Sequence, residues 1–325
     1  MGLGEQAVLV RVPATSANLG PGFDTLGLAL GLHDEVEARV TGSGLDIGVT
    51  GEGAADLDGA GEGHLIVRAM RVAFDELDIS QPAGLVLRCV NRIPHGRGLG
   101  SSAAAIVAGL LAARALAGAP TAADQVLPLA SMLEGHPDNV APCLLGGLTI
   151  AWTAAGPAGL PQARAVSLSP RQELRLVAFV APEPVSTKVA RGLLPATVPH
   201  ADAAHNAGRA ALLVAALTAQ DTSLPAGAGL LESTEALLAA TEDRLHQDYR
   251  APAMPRAHEL VARLRAAGLP AVVSGAGPSV LAFLDREPDR DEWKRMDSIA
   301  GETGIEWHIS PLAIERRGAS VSTAR

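Results

Sequence analysis

Hydrophobic and polar residues form short blocks whose period changes along the chain, and these blocks predict a mixture of strands and helices. Residues 85–93 are mostly apolar and β-favouring, which predicts a strand. Residues 101–117 are rich in alanine and leucine and are followed by Gly118 and Pro120, which predicts a helix. Apolar residues recur at a helical period through residues 64–77. The pattern therefore predicts helices packed against strands.

The same criteria extend over the rest of the chain. An apolar run covers 25–32, and strands are predicted at 7–12, 35–40, 144–152, 174–180, 271–273, 280–284 and 305–309. Helices are predicted at 121–134, 186–194, 201–220, 231–243, 254–267 and 291–303, and the polar tail at 316–325 is predicted to be disordered. Strands and helices interleave without regular β-α-β alternation, which favours a two-layer α+β fold over a Rossmann sheet.

The size and composition of the chain indicate about two domains. The 325 residues are 48% hydrophobic and 19% charged, which is enough to bury a large core. A segment rich in alanine, glycine and proline at 154–170 is typical of a domain boundary. We therefore predict an N-terminal domain at 1–165 and a C-terminal domain at 166–325.

Charge and cysteine usage exclude some classes of protein. The formal net charge is −9 and no run of five Lys or Arg residues occurs, which argues against a nucleic-acid partner. Cys89 and Cys143 lie in apolar runs, as buried thiols do, so we expect neither a disulfide nor a metal pair. The N-terminal residues lack the apolar stretch of a signal peptide, and no uninterrupted apolar segment is long enough to span a membrane. We expect a cytoplasmic protein.

One stretch, which we call the glycine loop (Pro94–Ala104), joins a predicted strand to a predicted helix. Its three alternating glycines can adopt positive φ and let backbone N–H groups approach an anion closely. The start of the following helix adds free N–H donors and the positive end of the helix dipole. A serine in the first helical turn can also be a Mg²⁺ ligand. The glycine loop is thus a candidate phosphate site, although a simple glycine-rich turn is the alternative. It lacks the lysine of a Walker A loop.

Three further segments concentrate small polar groups. The N-terminal motif (Pro13–Asp24) carries Asn18 and Asp24 on a loop constrained by glycine and proline, and its alternative interpretation is a structural turn. A second cluster, on a proline-constrained turn, is formed by Glu134, His136, Asp138 and Asn139. A lone histidine such as His136 is more often a hydrogen-bonded residue of a structural turn than a catalytic residue. The second glycine turn (Ser274–Ser279) lies between two apolar strands, where its backbone could approach a phosphate.

These separated motifs together resemble those of the GHMP small-molecule kinases. Within that superfamily, three stretches resemble the homoserine kinase family: Ser-Ala-Asn-Leu-Gly-Pro-Gly-Phe-Asp at 16–24, Glu-Gly-His-Pro-Asp-Asn-Val-Ala-Pro at 134–142, and Asp-Arg-Leu-His-Gln-x-Tyr-Arg at 243–250. The similarity extends from about residue 8 to about residue 310. It implies an N-terminal domain like domain 2 of ribosomal protein S5, a ferredoxin-like C-terminal domain, and a cleft between them. There the γ-phosphoryl group of Mg·ATP would pass to the side-chain hydroxyl of L-homoserine, a step toward threonine.

The resemblance also assigns roles to individual residues. The ATP phosphates would be wrapped by Pro94, His95, Gly96, Arg97, Gly98, Leu99, Gly100, Ser101, Ser102, Ala103 and Ala104. Ser102 and Glu134 would hold Mg²⁺. The amino acid would be contacted by Asn18, Asp24, His136 and Asn139, and its carboxylate by Arg191 and Arg250. His64 stands where the family usually has an asparagine near the adenine.

The resemblance leaves the catalytic base open. Other GHMP kinases use a lysine of the first motif and an aspartate base, but this N-terminal motif has no lysine, and Asn139 occupies the base position. We expect catalysis by alignment and Mg²⁺, with Ser102, Glu134 and Asn139 as catalytic residues and Asp138 as a rival base. A GHMP kinase for another small alcohol and a non-catalytic sensor are the alternative functions. A homodimer formed through an exposed sheet edge is a further hypothesis.

Overall fold

The computed structural model describes residues 6–57, 59–156, 161–218 and 233–324. Its strands are β1 (Val8–Ala17), β2 (Leu26–Thr41), β3 (Gly44–Gly51), β4 (Gly84–Asn91), β5 (Leu148–Ala155), β6 (Pro161–Leu168), β7 (Arg175–Val180), β8 (Ala271–Val273), β9 (Val280–Leu284), β10 (His308–Leu312) and β11 (Ser320–Thr323). Its helices are α1 (Ala54–Leu57), α2 (Leu65–Glu76), α3 (Ser101–Leu116), α4 (Ala123–Glu134), α5 (Pro137–Leu145), α6 (Thr187–Gly192), α7 (His200–Thr218), α8 (Thr234–Ala240), α9 (Gln247–Arg250), α10 (Pro255–Ala266) and α11 (Arg290–Gly301). Strands and helices are mixed without regular alternation, as predicted for an α+β protein.

A mixed sheet forms the first layer of the fold. Its described strands have the order β11-β1-β2-β4-β3, with β5 paired to β2 and β6 paired to β5. β1 and β2 are antiparallel, with a register shift between Pro13 and Ala14. Because proline has no N–H to donate, an irregularity in the ladder at this position is expected. The apolar run at 25–32 and the strand predicted at 35–40 belong to one long strand, β2.

A second, antiparallel sheet has the order β10-β7-β9-β8 among the described residues. Along β7, Leu176 and Ala178 join the hydrophobic core that also contains the first sheet, whereas Val177 and Phe179 join a second cluster with residues of α10 and α11. Successive side chains of a strand point to opposite faces, so this sheet is covered on both sides. Its inner face therefore connects the two sheets through one core.

Helix α3 lies in the centre of that core, and its first four residues are the last four of the glycine loop. Most of its residues are buried. A Cβ on Gly109 would lie 2.5 Å from the carbonyl oxygen of Ile66, so glycine at this position allows α2 and α3 to pack closely. A helix enclosed in this way has little freedom to move. The position of the glycine loop is therefore fixed by the core.

The C-terminal tail corrects one prediction. Ser320–Thr323 is not disordered, because it forms β11 and pairs antiparallel with β1. The chain reaches this edge through backbone hydrogen bonds from Gly147 N–H to the Glu315 carbonyl (2.8 Å) and from Ala319 N–H to the Cys143 carbonyl (2.8 Å). The tail thus belongs to the first sheet. With Val321 as its one apolar residue, Ser320–Thr323 gives almost no hydrophobic signal for such an edge strand.

Two predicted features map onto the structure with differences. The segment at 154–170 includes strand β6, which belongs to the first sheet; the division into 1–165 and 166–325 stays a prediction. Residues 219, 220, 231 and 232 of two predicted helices lie outside the described residues.

Cys89 and Cys143 are buried free thiols, as predicted, and burial raises the pKa of Cys89 to about 12. Among the described helices, each is too short or too polar to cross a bilayer.

The tail contact leads to a stability prediction. Gly318 has φ +68°, and a Cβ there would lie 2.4 Å from the Leu144 carbonyl oxygen. Gly318→Ala should lower the free energy of unfolding by roughly 2–4 kcal/mol, since it combines left-handed strain with a backbone clash. The matched control is Gly304→Ala, at φ +78° with no described atom within 4 Å of the added Cβ, which should cost only about 1 kcal/mol. Urea denaturation measures both, and equal losses would contradict the prediction.

Candidate active site

The N-terminal motif, the glycine loop and the second glycine turn meet at one point. The Ser274 hydroxyl lies 2.7 Å from the Gly98 carbonyl oxygen and 2.8 Å from the Ser16 hydroxyl. A carbonyl can only accept, so Ser274 donates to Gly98 and accepts from Ser16. Beside them, Gly275 N–H donates to the Ala17 carbonyl at 2.9 Å. Three stretches that are far apart in sequence therefore form one wall.

The glycines of the glycine loop are required by this close contact. Gly98 and Gly100 have φ +74° and +75°, and Gly100 immediately precedes α3. A Cβ on Gly98 would lie 2.1 Å from the Ser274 carbonyl oxygen, and one on Gly100 would lie 1.9 Å from the Thr15 hydroxyl oxygen. Any larger residue would separate the three segments. Their conformation leaves the N-terminus of α3 facing the cleft.

A hydroxyl and a carboxylate lie together at the start of α3. The Ser102 hydroxyl donates to Glu134 Oε2 at 2.7 Å, and both residues line the cleft. Glu134 is the last residue of α4, which packs against α3. Burial raises the pKa of the Glu134 carboxyl above its ordinary value, against the hydrogen bond from Ser102, which lowers it. This pair offers two oxygen ligands to a cation.

The predicted turn after Glu134 is a helix, which corrects the prediction. Pro137–Leu145 forms α5, with His136 as its N-cap residue. His136 Nδ1 lies 2.5 Å from Asp138 Oδ1, and Asp138 is completely buried with its Oδ2 unpartnered among the described residues. Burial alone would lower the pKa of His136, but the hydrogen bond and charge of Asp138 and the charge of Glu134 outweigh it and raise that pKa. The imidazole is therefore disposed to carry a proton.

Asn139 lies in the first turn of α5 and faces the cleft. Its Oδ1 accepts a hydrogen bond from the Thr15 hydroxyl at 2.9 Å. Thr15 belongs to the N-terminal motif, but its contact with Asn139 was not predicted, because 124 residues separate the two. The amide is held in a fixed orientation, with its nitrogen left to donate.

Arg191, which lines the cleft, forms a bidentate pair with Asp24, which is not among the residues that line it. The two Nη atoms of Arg191 lie 3.1 Å from Asp24 Oδ2 and 2.5 Å from Oδ1. Both side chains are half-buried, and the hydrogen bonds to Asp24 raise the pKa of Arg191. Asn18 Oδ1 accepts from the Asp24 backbone N–H at 2.8 Å, so it fixes the loop that carries Asp24.

Arg250 also lines this cleft. Its side chain is only 1% exposed, and burial lowers its pKa to about 10. The ring of Phe23 lies between the two arginines: the guanidinium carbon of Arg191 is 5.4 Å from its centroid and that of Arg250 is 5.9 Å. Phe23 belongs to the N-terminal motif, but the sequence predicts no role for it.

The cleft brings most of the predicted site residues together. Its cavity volume is about 260 Å³. The predicted residues that line it are Asn18, Gly96, Gly98, Gly100, Ser101, Ser102, Glu134, His136, Asn139, Arg191 and Arg250. It is also lined by Val185 and Thr187, which precede and begin α6, and by the second glycine turn. Val185 was not predicted, because nothing in the sequence distinguishes it from other apolar residues.

A second, more apolar cavity of about 230 Å³ shares Ser101 and Ser102 with the cleft. The predicted residues that line it are His64, His95, Ser101, Ser102 and Ala104. His64 is 4% exposed, and both of its ring nitrogens lack a hydrogen-bond partner among the described residues. Burial, with a smaller contribution from His95, lowers the pKa of His64, so the ring is neutral near pH 7. Such a ring can donate one hydrogen bond and accept one.

Four predicted residues of the glycine loop line neither cavity in the described part of the chain: Pro94, Arg97, Leu99 and Ala103. The guanidinium of Arg97 donates to the carbonyl oxygens of His95 (2.7 Å), Ala181 (3.0 Å) and Pro182 (2.5 Å). These contacts attach the glycine loop to the segment that follows β7. A phosphate role for Arg97 stays a prediction, and its observed contacts are structural.

Comparison with known proteins defines the class. The model of the GHMP kinases N terminal domain matches residues 64–147, and that of the GHMP kinases C terminal domain matches residues 227–296. The two-domain GHMP kinase fold expected from the motifs is thereby confirmed.

Within this class, the chain belongs to the homoserine kinase family. It is 53% identical to a homoserine kinase of Streptomyces coelicolor over 97% of this chain and 94% of the relative. It is 54% identical to one of Streptomyces avermitilis over 97% and 95% of the two chains. The crystal structure of homoserine kinase from Cytophaga hutchinsonii superposes with a TM-score of 0.77 at 26% identity and covers 99% of both chains. The resemblance drawn from the motifs is confirmed.

The His136–Asp138 contact leads to a titration prediction. His136 should titrate above its ordinary pKa of 6.5 and His64 below it. Asp138→Asn removes the charge that favours the imidazolium, so the pKa of His136 should fall. The protonated ring stabilises the fold below the unfolded-state pKa, and this contribution is lost as pH rises through the folded-state pKa. Two-dimensional ¹H–¹⁵N NMR of the histidine rings measures these values. An unchanged His136 pKa in the variant would refute the pairing, and His64 serves as the internal control.

Proposed function

We propose that the chain transfers the γ-phosphoryl group of ATP to the side-chain hydroxyl of L-homoserine, giving O-phospho-L-homoserine and ADP, a step of threonine biosynthesis. The observation that carries this proposal is that one cleft is lined by the glycine loop, the Ser102–Glu134 pair and two arginines. Phosphates are bound by backbone N–H groups at a helix start, and carboxylates are bound by arginine. The cleft therefore offers groups that can bind a nucleoside triphosphate and an amino acid next to each other.

The nucleotide would lie along the glycine loop and the N-terminus of α3. The sixteen-residue helix provides free N–H groups and a positive dipole end next to Gly100. The base would occupy the apolar cavity beside His64, whose neutral ring can exchange hydrogen bonds with a purine. Few aromatic residues are available, since Phe, Trp and Tyr make up 2% of the chain, so aliphatic walls supply most of the contact.

Ser102 and Glu134 are the residues that would hold Mg²⁺. Mg²⁺ prefers hydroxyl and carboxylate oxygens and completes its shell with phosphate and water. In the described ranges no group of three or more His, Cys, Asp or Glu residues could hold a metal by itself, which suits an ion shared with the nucleotide. The ion, when bound, neutralises phosphate charge and polarises the γ-phosphoryl group. Glu134, whose pKa is raised by burial, would be ionised in that state.

The amino acid would lie between the arginines and α5. Arg191 and Arg250 would receive its carboxylate, and Asp24 would receive its ammonium group while it remains near Arg191. Asn18, His136 and Asn139 would complete the contacts on the side that faces the glycine loop. The carboxylate and the ammonium group of the substrate then each have a partner. A substrate without an ammonium group would leave Asp24 unused.

The geometry supports phosphoryl transfer without a general base. Asn139 is not basic, and its Oδ1 already accepts from Thr15. Asp138 is completely buried, bonded to His136, and does not line the cleft. A loose transition state places little demand on a base, since positioning and charge neutralisation provide most of the acceleration. The hydroxyl proton would leave late, to a phosphate oxygen of the transferred group.

A substrate panel tests the function. With Mg·ATP, the purified protein should release ADP with L-homoserine, and kcat/KM should fall by at least about tenfold for L-serine, which is one methylene shorter. L-threonine and mevalonate complete the panel in a coupled ADP assay. Preferential turnover of mevalonate would favour a GHMP kinase for another alcohol. Binding of homoserine by calorimetry without ADP release would favour a non-catalytic sensor.

Two carboxylate variants test the mechanism against each other. Glu134→Gln should lower kcat by about 10²–10³-fold, because the transition state loses a charge that holds the cation. Asp138→Asn serves as the matched carboxylate-to-amide control and should lower kcat by less than about tenfold, through its effect on His136 alone. Steady-state kinetics at saturating ATP and homoserine measure both. A loss of several thousand-fold in Asp138→Asn would overturn the base-free mechanism.

A further inference from the structure

The guanidinium of Arg250 is held by neutral groups. Its Nη2 lies 2.5 Å from His246 Nδ1, its Nη1 donates to the Gly275 carbonyl at 3.0 Å, and its Nε donates to the His246 carbonyl at 3.3 Å. These contacts use three of the five N–H groups of the guanidinium. Among the described residues, one N–H on each terminal nitrogen is left over. Two donors on one guanidinium are what the two oxygens of a carboxylate require.

The hydrogen bonds define the tautomer of His246. Its Nε2 lies 2.5 Å from the Gly20 carbonyl oxygen, which can only accept, so Nε2 carries the proton. Its Nδ1 faces an arginine N–H and must accept, so the ring is neutral. The ring is completely buried, and burial lowers its pKa to about 4, which agrees with this assignment. His246 therefore connects the N-terminal motif to Arg250 through one donated and one accepted bond.

The buried charge of Arg250 is balanced at a distance. Asp243, also buried, accepts from the backbone N–H groups of Leu245 (3.0 Å), His246 (3.1 Å) and Gln247 (2.7 Å). Among the neighbouring charges, that of Asp243 contributes most to stabilising the ionised form of Arg250. Arg191 differs, because its guanidinium is bonded directly to the Asp24 carboxylate. Of the two arginines, Arg250 therefore keeps more of its charge for a ligand.

Phe23 keeps this assembly in place from the side of the cleft. Its ring centroid lies 4.9 Å from that of His246, with an angle of 31° between the planes. The same ring is 5.9 Å from the guanidinium carbon of Arg250. His246 is thus packed by Phe23 and bonded on both ring nitrogens, which leaves it a single orientation.

We propose that His246 is a positioning residue for carboxylate recognition: as a neutral ring bonded to Gly20 and to Arg250, it aims the two remaining N–H groups of Arg250 at the carboxylate of the amino acid. This inference rests on the proposed function. It makes Arg250 the principal receptor of the carboxylate. Arg191 stays paired with Asp24 and contributes through the N–H groups that are not bonded to Asp24. The effect of His246 should therefore depend on whether the substrate carries a carboxylate.

Two variants of His246 separate its two bonds. In His246→Gln the amide reaches the position of Nε2 and the acceptor for Arg250 is lost, whereas in His246→Asn the amide oxygen takes the position of Nδ1. His246→Gln should raise KM for homoserine at least about tenfold with KM for ATP unchanged, and His246→Asn should stay within about threefold of the wild type. With L-homoserinamide, which lacks the carboxylate, His246→Gln and wild type should have the same KM.

A buried histidine outside the cleft provides the control. His33 is bonded through its two ring nitrogens to Arg11 (2.9 Å) and Glu315 (2.8 Å). His33→Gln should lower the melting temperature without changing KM for homoserine. An equal rise of KM for homoserine and homoserinamide in His246→Gln, or a parallel rise of KM for ATP, would mean a purely structural role and overturn the proposal. Failure of the wild type to phosphorylate homoserine would instead refute the proposed function.

The unmodified protein offers a test that does not depend on variants. ¹H–¹⁵N NMR of the histidine rings should show His246 as the neutral Nε2–H tautomer. Its Nδ1 resonance should shift when homoserine binds and remain unchanged when homoserinamide binds. A proton on Nδ1, or equal shifts with the two ligands, would overturn the proposal even if neither variant of His246 folds.

Discussion

The Ser274 hydroxyl lies where the N-terminal motif, the glycine loop and the second glycine turn meet, and it bonds to Ser16 and Gly98. These partners are 258 and 176 residues away along the chain. Ser16 and Ser274 are completely buried at this point, so their hydroxyl groups must be satisfied by protein partners instead of water. Only a glycine at position 98 permits the approach. The wall of the cleft, and with it the position of α3 relative to the second sheet, depends on this junction.

The local parts of the site could be predicted from the sequence because their signals are local. The glycine loop follows a β-favouring run and precedes an alanine-rich helix, and β4 and α3 lie within a few residues of those predictions. Helix α5 was missed for a physical reason. Pro137 suits the first turn of a helix, but Pro142 removes a backbone hydrogen bond within it. Packing of α5 against α4 and β5 compensates, and a single sequence does not reveal that packing.

The remaining parts of the site arise from contacts between distant residues. The Arg191–Asp24 pair spans 167 positions and the Thr15–Asn139 bond spans 124. No spacing rule connects such residues, so their roles were available only through resemblance to a family. β11 is a similar case, since a strand of three polar residues and one valine completes a sheet edge whose partner strand begins at Val8. Phe23 shows the limit most clearly, because a lone aromatic residue in a loop usually indicates nothing specific.

The charges of the two arginines in the cleft are balanced in different ways. This difference lets an acidic chain of net charge −9 attract the carboxylate of a substrate. Asp24 raises the pKa of Arg191 and neutralises much of its field. Burial lowers the pKa of Arg250 to about 10, which still leaves it charged near neutral pH. Ionising a buried group is unfavourable unless it is hydrogen-bonded and balanced, and His246, Gly275 and the more distant Asp243 provide both. Because its hydrogen-bond partners among the described residues are neutral, the field of Arg250 extends into the cleft, where a carboxylate gains from it.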